Sequence, residues 1–207
     1  PSVDEAGPVK DDKERVVGVV SFDERVRPDA VPPEPAEQGT LFSEDDAEGY
    51  DGMPYIVAIT KQGQATRFTI DGFTEPSTVT GRKYMRLGKG DEVIGAFIAA
   101  GHENVCLASH NGRALIFPVH QISVYKGAAK GVVAIRLEDD DRVIGFTLSD
   151  AARDGLRVQT NRGRDETVRT TKFEVTNRGN KGTLVIRRGY LAEVFPAPIE
   201  VTLNGSS

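Results

Sequence analysis

The sequence has little of the chemistry that disulfide frameworks and metal centres require. Its 207 residues include one cysteine, three histidines and no tryptophan. A single cysteine, Cys106, cannot form a disulfide within the chain, and its place in an apolar run predicts a buried side chain rather than a reactive thiol. The histidines lack helical spacing, so a zinc site is not expected. We therefore expect neither a metal nor a cofactor.

Longer functional motifs are also missing from the sequence. There is no signal-peptide pattern and no apolar run long enough to span a membrane, so we expect a cytoplasmic location and no membrane partner. No phosphate-binding loop, nucleophile elbow or catalytic carboxylate pair stands out, and we expect no active site in this chain. The acidic run Asp139–Asp141 is interpreted as a solvated turn rather than a metal site.

What the sequence does contain is a repeat of about 50 residues, marked by glycine. Glycines in short polar turns are 49 and 51 residues apart, and a second series is 50 and 51 residues apart. A fixed period of this length is typical of propellers and other repeat architectures. The first series is Gly63, Gly112 and Gly163, and the second is Gly81, Gly131 and Gly182.

Each copy of the repeat predicts four β-strands. Asn111-Gly112 lies between two apolar runs and is a strong hairpin signal, because a tight primed turn needs residues with positive φ. A third strand is predicted over Gly131–Leu137 and a fourth over Val143–Thr147, with matching segments in the other copies. Four strands per copy indicate an all-β, propeller-like fold built from blades.

The amino-terminal quarter departs from the repeat. Val16–Val20 matches the fourth strand although no hairpin precedes it, so we expect the last strand of a preceding blade, in a piece of a longer polypeptide. A stretch rich in proline and acidic residues follows and predicts a disordered insertion. The predicted segments are an acidic leader over 1–15, an orphan strand over 16–24, an insertion over 25–52, blades over 53–101, 102–152 and 153–198, and a tail over 199–207.

Charge is distributed unevenly along the chain. Residues 1–52 hold five Lys and Arg against fifteen Asp and Glu, whereas residues 53–207 hold 21 basic and 16 acidic residues. The formal net charge of −5 therefore conceals a basic repeat region joined to an acidic segment. A basic face predicts a polyanionic partner, and the acidic segment is expected to compete for that face.

Two segments carry a specific resemblance. Tyr125–Leu137 ends in the pattern Gly-x-x-x-Ile-Arg-Leu, and Thr176–Gly182 is similar to the Gln-Arg-Arg-Gly-Gly-Lys-Gly heptapeptide of gyrase A subunits. Together with the order of the repeated elements, they make the chain resemble the C-terminal domain of the A subunit of bacterial type IIA topoisomerases, DNA gyrase and topoisomerase IV. Within the heptapeptide Arg178, Gly179, Lys181 and Gly182 match, whereas Thr176, Asn177 and Asn180 depart.

The resemblance implies a β-pinwheel, in which neighbouring blades exchange strands and duplex DNA bends around a basic outer rim. Three copies are fewer than the ~4 to 8 blades of a closed propeller, so we expect an open arc. The resemblance also implies that ATP hydrolysis lies on the ATPase subunit, whereas DNA cleavage lies on the remainder of the A subunit. None of the five tyrosines is therefore proposed as a nucleophile. The imperfect heptapeptide leaves gyrase and topoisomerase IV as alternatives.

Basic residues that recur from copy to copy are the predicted DNA contacts. They would neutralise phosphates along a bent path without reading bases, so sequence preference is expected to be weak. The alternative for each residue is a solvated charge or an ion pair, and the alternative for the whole chain is a propeller-like scaffold that binds proteins. The first choices are Lys126, Lys130, Arg178, Lys181, Arg86, Arg136 and Arg187, and the second choices, in hairpin turns, are Arg113, Arg162 and Arg164.

Overall fold

The computed structural model describes residues 16–23, 54–75, 81–151 and 154–195. Within these ranges the chain is built from β-strands, two single 3₁₀ turns and loops. The leader over 1–15, the insertion over 25–52 and the tail over 199–207 lie outside the described residues. No helix in the described ranges has the length and apolar character needed to cross a bilayer.

Eleven strands in the described part of the chain form three antiparallel sheets. The first sheet has the order β3-β1-β2-β6, the second β10-β5-β4-β7 and the third β11-β8-β9. In chain order the strands are β1 (Tyr55–Thr60), β2 (Gln64–Thr69), β3 (Val93–Ala99), β4 (Asn104–Ser109), β5 (Arg113–Pro118), β6 (Val132–Val133), β7 (Val143–Ser149), β8 (Leu156–Thr160), β9 (Asp165–Val168), β10 (Thr183–Leu184) and β11 (Leu191–Phe195).

The three predicted hairpins are confirmed. Gly63, Gly112 and Gly163 have φ of 79°, 83° and 75°, and each amide closes its turn on the carbonyl three residues earlier. Positive φ is accessible to glycine at little cost, which explains why glycine recurs at this point of every copy. The turns set the register of β1 with β2, of β4 with β5 and of β8 with β9.

The third strand of a copy does not join the hairpin of its own copy. The short strand β6 pairs with β2 of the preceding copy, and β10 pairs with β5 in the same way. The interpretation that one copy supplies all four strands of its sheet is therefore wrong, and the strand exchange implied by the resemblance is confirmed. A repeat pattern shows which elements recur, but the hydrogen bonds that decide pairing lie between copies.

The predicted orphan strand over 16–24 is not a strand. Residues 16–23 are described but have no ladder partner among the described residues. A Cβ on Gly18 would lie 2.7 Å from the carbonyl oxygen of Ala96 in β3, much as one on Gly95 would lie 3.2 Å from the Phe146 ring in β7. The segment thus packs against β3 much as β3 packs against β7. It is not a strand because the described residues include no hairpin beside it with which it could form a ladder.

The core lies between successive sheets. Along β4, Val105 and Leu107 belong to the apolar cluster shared with the first sheet, whereas Cys106 and Ala108 belong to the cluster shared with the third. Because side chains alternate along a strand, the middle sheet is buried on both faces along β4. Burial raises the pKa of the Cys106 thiol to about 12, and its side chain is 0% exposed. The predicted buried role of this cysteine is confirmed.

Candidate nucleic-acid interface

The two loops that precede β6 and β10 begin in equivalent ways on successive sheets. The Tyr125 amide donates to the carbonyl of Arg67 in β2 at 2.8 Å, and the Thr176 amide donates to the carbonyl of Ile116 in β5 at 2.8 Å. Residues 125–131 and 176–182 are the loops in which the sequence predicts DNA contacts. Equivalent anchoring places them at equivalent points of the first and second sheets.

The far ends of these loops meet the arginines that recur in the third-strand segment of the preceding copy. The Arg86 amide donates to the Ala129 carbonyl at 2.8 Å, and the Arg136 amide donates to the Asn180 carbonyl at 3.0 Å. Lys130 and Lys181 are the next residues of the two loops, and all four basic side chains are exposed. We call Arg86 with Lys130, and Arg136 with Lys181, the rim pairs.

Each rim-pair lysine is followed by a glycine that the fold requires. Gly131 and Gly182 have φ of 83° and 71°. A Cβ on either one would collide with a backbone carbonyl, that of Ala65 in β2 or that of Ala114 in β5. The close approach lets β6 and β10 enter the neighbouring sheet, so the spacing from lysine to strand is the same in both copies.

The second-choice arginines occupy a different environment. Arg113 forms an ion pair with Glu138 at 3.3 Å and also donates to the Gly182 carbonyl at 3.3 Å. Arg164 forms an ion pair with Glu166 at 2.7 Å, while Arg162 is exposed in the third hairpin turn. Two of the three hairpin arginines are therefore already paired within the protein, and the bond to Gly182 places Arg113 next to Lys181 of the second rim pair.

Glu166 also accepts from a lysine that follows β9. Its second carboxylate oxygen lies 2.6 Å from the Nζ of Lys172. The hydrogen bond from Lys172, together with the charges of Lys172 and Arg164, holds the pKa of the Glu166 carboxyl below its usual range. A single carboxylate thus pairs with two cations, so Arg164 and Lys172 are both engaged within the protein.

Arg178 is held inward, although the sequence placed it with the DNA contacts. Its Nε donates to the Gln121 carbonyl at 2.7 Å and a terminal nitrogen donates to the Val133 carbonyl at 3.3 Å. Its amide donates to the Oε1 of Gln121 at 2.8 Å. These contacts are neither of the alternatives drawn from sequence, a solvated charge or an ion pair, because both partners of the guanidinium are neutral carbonyls. By contrast, the other first choices all have exposed side chains, namely Lys126, Lys130, Lys181, Arg86, Arg136 and Arg187.

The acidic turn Asp139–Asp141 has a structural role in the second hairpin. The Asp141 carboxylate accepts from the Asn111 amide at 2.9 Å and from the Ser109 hydroxyl at 2.7 Å. In the first copy Asp91 accepts from the Gln62 amide at 2.9 Å. No group of acidic, histidine or cysteine side chains suited to a metal occurs among the residues that the structure describes.

Sequence reasoning missed three residues near the candidate interface. Gln121 is uncharged and 57 residues from Arg178, so no local pattern connects the two. Arg82 and Lys83 follow Gly81 and are exposed, and Arg82 donates to the Gly72 carbonyl. Arg82 and Lys83 do not recur, because Val132 and Thr183 follow the equivalent glycines, so the repeat gave no signal for them.

Comparison with known proteins connects the fold to a family. Residues 54–100 and 103–150 each match the family model described as DNA gyrase C-terminal domain, beta-propeller. The A subunit of DNA gyrase from Dehalogenimonas lykanthroporepellens is 34% identical over 140 residues, and the A subunit of DNA topoisomerase 4 from Bacillus subtilis is 25% identical over 138 residues. Each match covers 67% of this chain but 17% of the relative, so the chain spans about one sixth of the length of these proteins.

Solved structures show the same fold. The C-terminal domain of DNA topoisomerase IV superposes with a TM-score of 0.62 at 20% identity, covering 70% of this chain and 47% of that one. The C-terminal domain of DNA gyrase A gives 0.58 at 20% identity, covering 69% of this chain and 48% of that one. At this level of identity the likeness concerns the fold alone.

Proposed function

Because this chain belongs to the DNA gyrase C-terminal domain family through residues 54–100 and 103–150, we propose that it binds duplex DNA along its rim pairs and bends it. The bound DNA would be contacted through its phosphates, with little preference for sequence. The partner that this surface fits is double-stranded DNA, which offers a negative charge about every 1.7 Å along the helix axis.

The recurrence of the rim pairs carries the proposal. Arg86 with Lys130 and Arg136 with Lys181 are exposed, and equivalent backbone hydrogen bonds from one copy to the next bring the members of each pair together. A cation cluster that recurs at equivalent points of the first and second sheets would neutralise phosphates in steps along a path. Favourable contacts added step by step offset the elastic cost of bending the duplex.

The proposed contact set differs from the one drawn from sequence. Arg178 is removed because its guanidinium donates to protein carbonyls, and Arg113 and Arg164 are removed because each forms an ion pair. Arg162 stays a second choice. The proposed phosphate ligands are Lys126, Lys130, Lys181, Arg86, Arg136 and Arg187.

We assign the chain to the A subunit of a type IIA topoisomerase, as an accessory region that presents or wraps DNA. In that setting its direct protein partner is the remainder of the A subunit, through which it communicates with the ATPase subunit. Strand cleavage and ATP hydrolysis belong to those parts of the enzyme. The proposed location is the cytoplasm, on the nucleoid.

Salt dependence of DNA binding tests the proposal. Contact with roughly six phosphates predicts a loss of about 10³ in affinity between 50 and 200 mM salt. Reversing the rim pairs to glutamate at Arg86, Lys130, Arg136 and Lys181 should reduce the slope of log K against log salt by about 3 to 4. Fluorescence anisotropy with a labelled duplex of arbitrary sequence measures both, and energy transfer between labelled duplex ends measures bending.

A matched control places the same charge change at the hairpin ends. The control residues are Lys61, Lys89, Arg142 and Arg164. They lie in or beside the hairpin turns, as the hydrogen bonds from Gln62 to the Lys89 carbonyl and from His110 to the Arg142 carbonyl show for two of them. Their reversal to glutamate should weaken binding far less than reversal of the rim pairs. Equal losses for the two variants would contradict the assignment of the contacts to the rim pairs. No binding by the native chain at low salt would contradict DNA binding itself and favour a protein-binding scaffold.

A further inference from the structure

The side chain of Arg178 is arranged to hold a loop rather than a phosphate. Its Nε and one terminal nitrogen donate to the carbonyls of Gln121 and Val133, and its amide donates to the Gln121 side chain. The Nε2 of Gln121 in turn donates to the Oδ1 of Asn177 at 2.9 Å. We propose that Arg178 is a positioning residue, which fixes the loop 176–182 so that Lys181 and Arg136 form a rim pair. This inference rests on the proposed function.

The geometry of the guanidinium supports an inward role. A guanidinium is planar and carries five donors in a fixed fork, so the direction of one hydrogen bond restricts the others. Both carbonyl partners of Arg178 belong to the backbone, and their positions do not depend on side-chain rotation. The side chain is only partly exposed, whereas Lys181 and Arg136 are exposed.

Two further hydrogen bonds transmit the position of Arg178 to the rim pair. The Gly179 amide donates to the Ala134 carbonyl at 2.7 Å, and the Arg136 amide donates to the Asn180 carbonyl at 3.0 Å. Residues 178–180 therefore lie along the segment 133–136, which carries Arg136. Gly179 has φ of 75°, which bends the loop over this segment. Lys181 leaves the loop directly after these anchored residues.

The preceding copy gives an internal comparison. Gly127 aligns with Arg178 when the loops 125–131 and 176–182 are placed in register, so the first loop has no side chain at this position that could act as a clamp. A Cβ on Gly127 would have nothing within 4 Å. The ends of the first loop are held by the backbone hydrogen bonds from Tyr125 and Arg86. The arginine clamp is thus particular to the second rim pair.

The test compares Arg178→Lys with Arg178→Met, Gln121→Leu and Lys181→Met in the full chain. A lysine keeps the charge but has neither Nε–H nor the fork, so a clamp fails in Arg178→Lys while a phosphate contact survives. We expect Arg178→Lys, Arg178→Met and Gln121→Leu to weaken duplex binding by roughly three- to tenfold, the equivalent of one ordinary hydrogen bond. Their salt slopes should stay close to that of the native chain. Lys181→Met should reduce the slope by about 0.9, as expected for a direct phosphate contact.

Amide hydrogen exchange without DNA gives a second, independent measurement. The amides of Gly179 and Arg136 should exchange faster in Arg178→Lys and Arg178→Met, while the Gly63 amide in the first hairpin stays protected. Unchanged exchange at Gly179 and Arg136 would overturn the proposal. A direct phosphate contact, which would also overturn it, predicts native affinity in Arg178→Lys and a salt slope reduced by about 0.9 in Arg178→Met. If the native chain fails to bind DNA, the proposed function fails, and the exchange rates still decide whether Arg178 is a clamp.

Discussion

Replacing Gly131 with alanine should break the exchange of β6 into the first sheet. Gly131 has φ of 83°, and a Cβ there would collide with the Ala65 carbonyl in β2. The left-handed conformation costs about 1–2 kcal/mol for a residue with a Cβ. The collision is with backbone, so no side-chain rotation relieves it, and the strand must withdraw.

The cost of withdrawal follows from what β6 contacts. Val132 and Val133 pair with Ala65 and Gln64, and the Ala134 amide donates to the Gly63 carbonyl at 2.8 Å. About three hydrogen bonds at roughly 0.5–1.5 kcal/mol each are at risk. Together with the cost of the left-handed conformation, this loss should lower the free energy of unfolding by about 3–5 kcal/mol. For a chain of this size that corresponds to a decrease in Tm on the order of 10 °C.

Two other glycines separate the causes of the effect. Gly81 has φ of 68° but nothing within 4 Å of its Cβ position, so Gly81→Ala should lose only the conformational cost. Gly127 does not have a positive φ and is equally open, so Gly127→Ala should change stability by less than about 1 kcal/mol. Thermal and urea unfolding followed by circular dichroism measure all three. If Gly131→Ala costs no more than Gly81→Ala, the close approach of the two backbones does not stabilise the fold.

Three further outcomes are expected. Cys106, whose thiol pKa is raised to about 12 by burial, should not react with a thiol reagent at pH 8 until the chain unfolds, and rapid labelling of the native protein would contradict its burial. Lys172→Met should lower Tm at pH 7 by the equivalent of less than about 1 kcal/mol. The difference in Tm between the native chain and Lys172→Met should shrink as the pH falls through the depressed pKa of Glu166, because protonation of Glu166 removes the same ion pair in the native chain. A Tm difference that does not change with pH would exclude the Lys172–Glu166 ion pair as its cause. Deleting residues 25–51, which hold two basic and eight acidic residues, should tighten DNA binding at low salt, and unchanged affinity would show that this segment does not screen the rim.

The features that sequence predicted well are local ones. A turn glycine between two apolar runs determines a hairpin within about a dozen residues, so all three hairpins were predictable. The basic residues of the rim pairs were also found, because they recur at a fixed distance from the glycine series. Their contact with DNA stays a prediction.

The features that sequence did not reveal depend on distant backbone. Arg178 looks like a phosphate ligand in sequence because its partners are carbonyls of Gln121 and Val133, 57 and 45 residues away. Arg113 pairs with Glu138 only because the hairpin and the turn before β7 come together in space. A carbonyl carries no signature in a sequence, so a basic residue that is bound to one cannot be distinguished from a basic residue that faces solvent.

The exchange of β6 and β10 also bears on how such a chain could grow or shorten. The second and third copies each provide a hairpin and one edge strand for their own sheet, and a short strand, β6 or β10, for the opposite edge of the sheet before it. A cut after residue 152 would remove the third sheet and would also take β10 from the second. Duplication of one whole 50-residue period, in contrast, would add one sheet and one joint of the kind already present. The element that must be kept when copies are added or lost is therefore the pairing of a short strand with the hairpin of the preceding copy. Copy number can vary as long as this same contact is repeated.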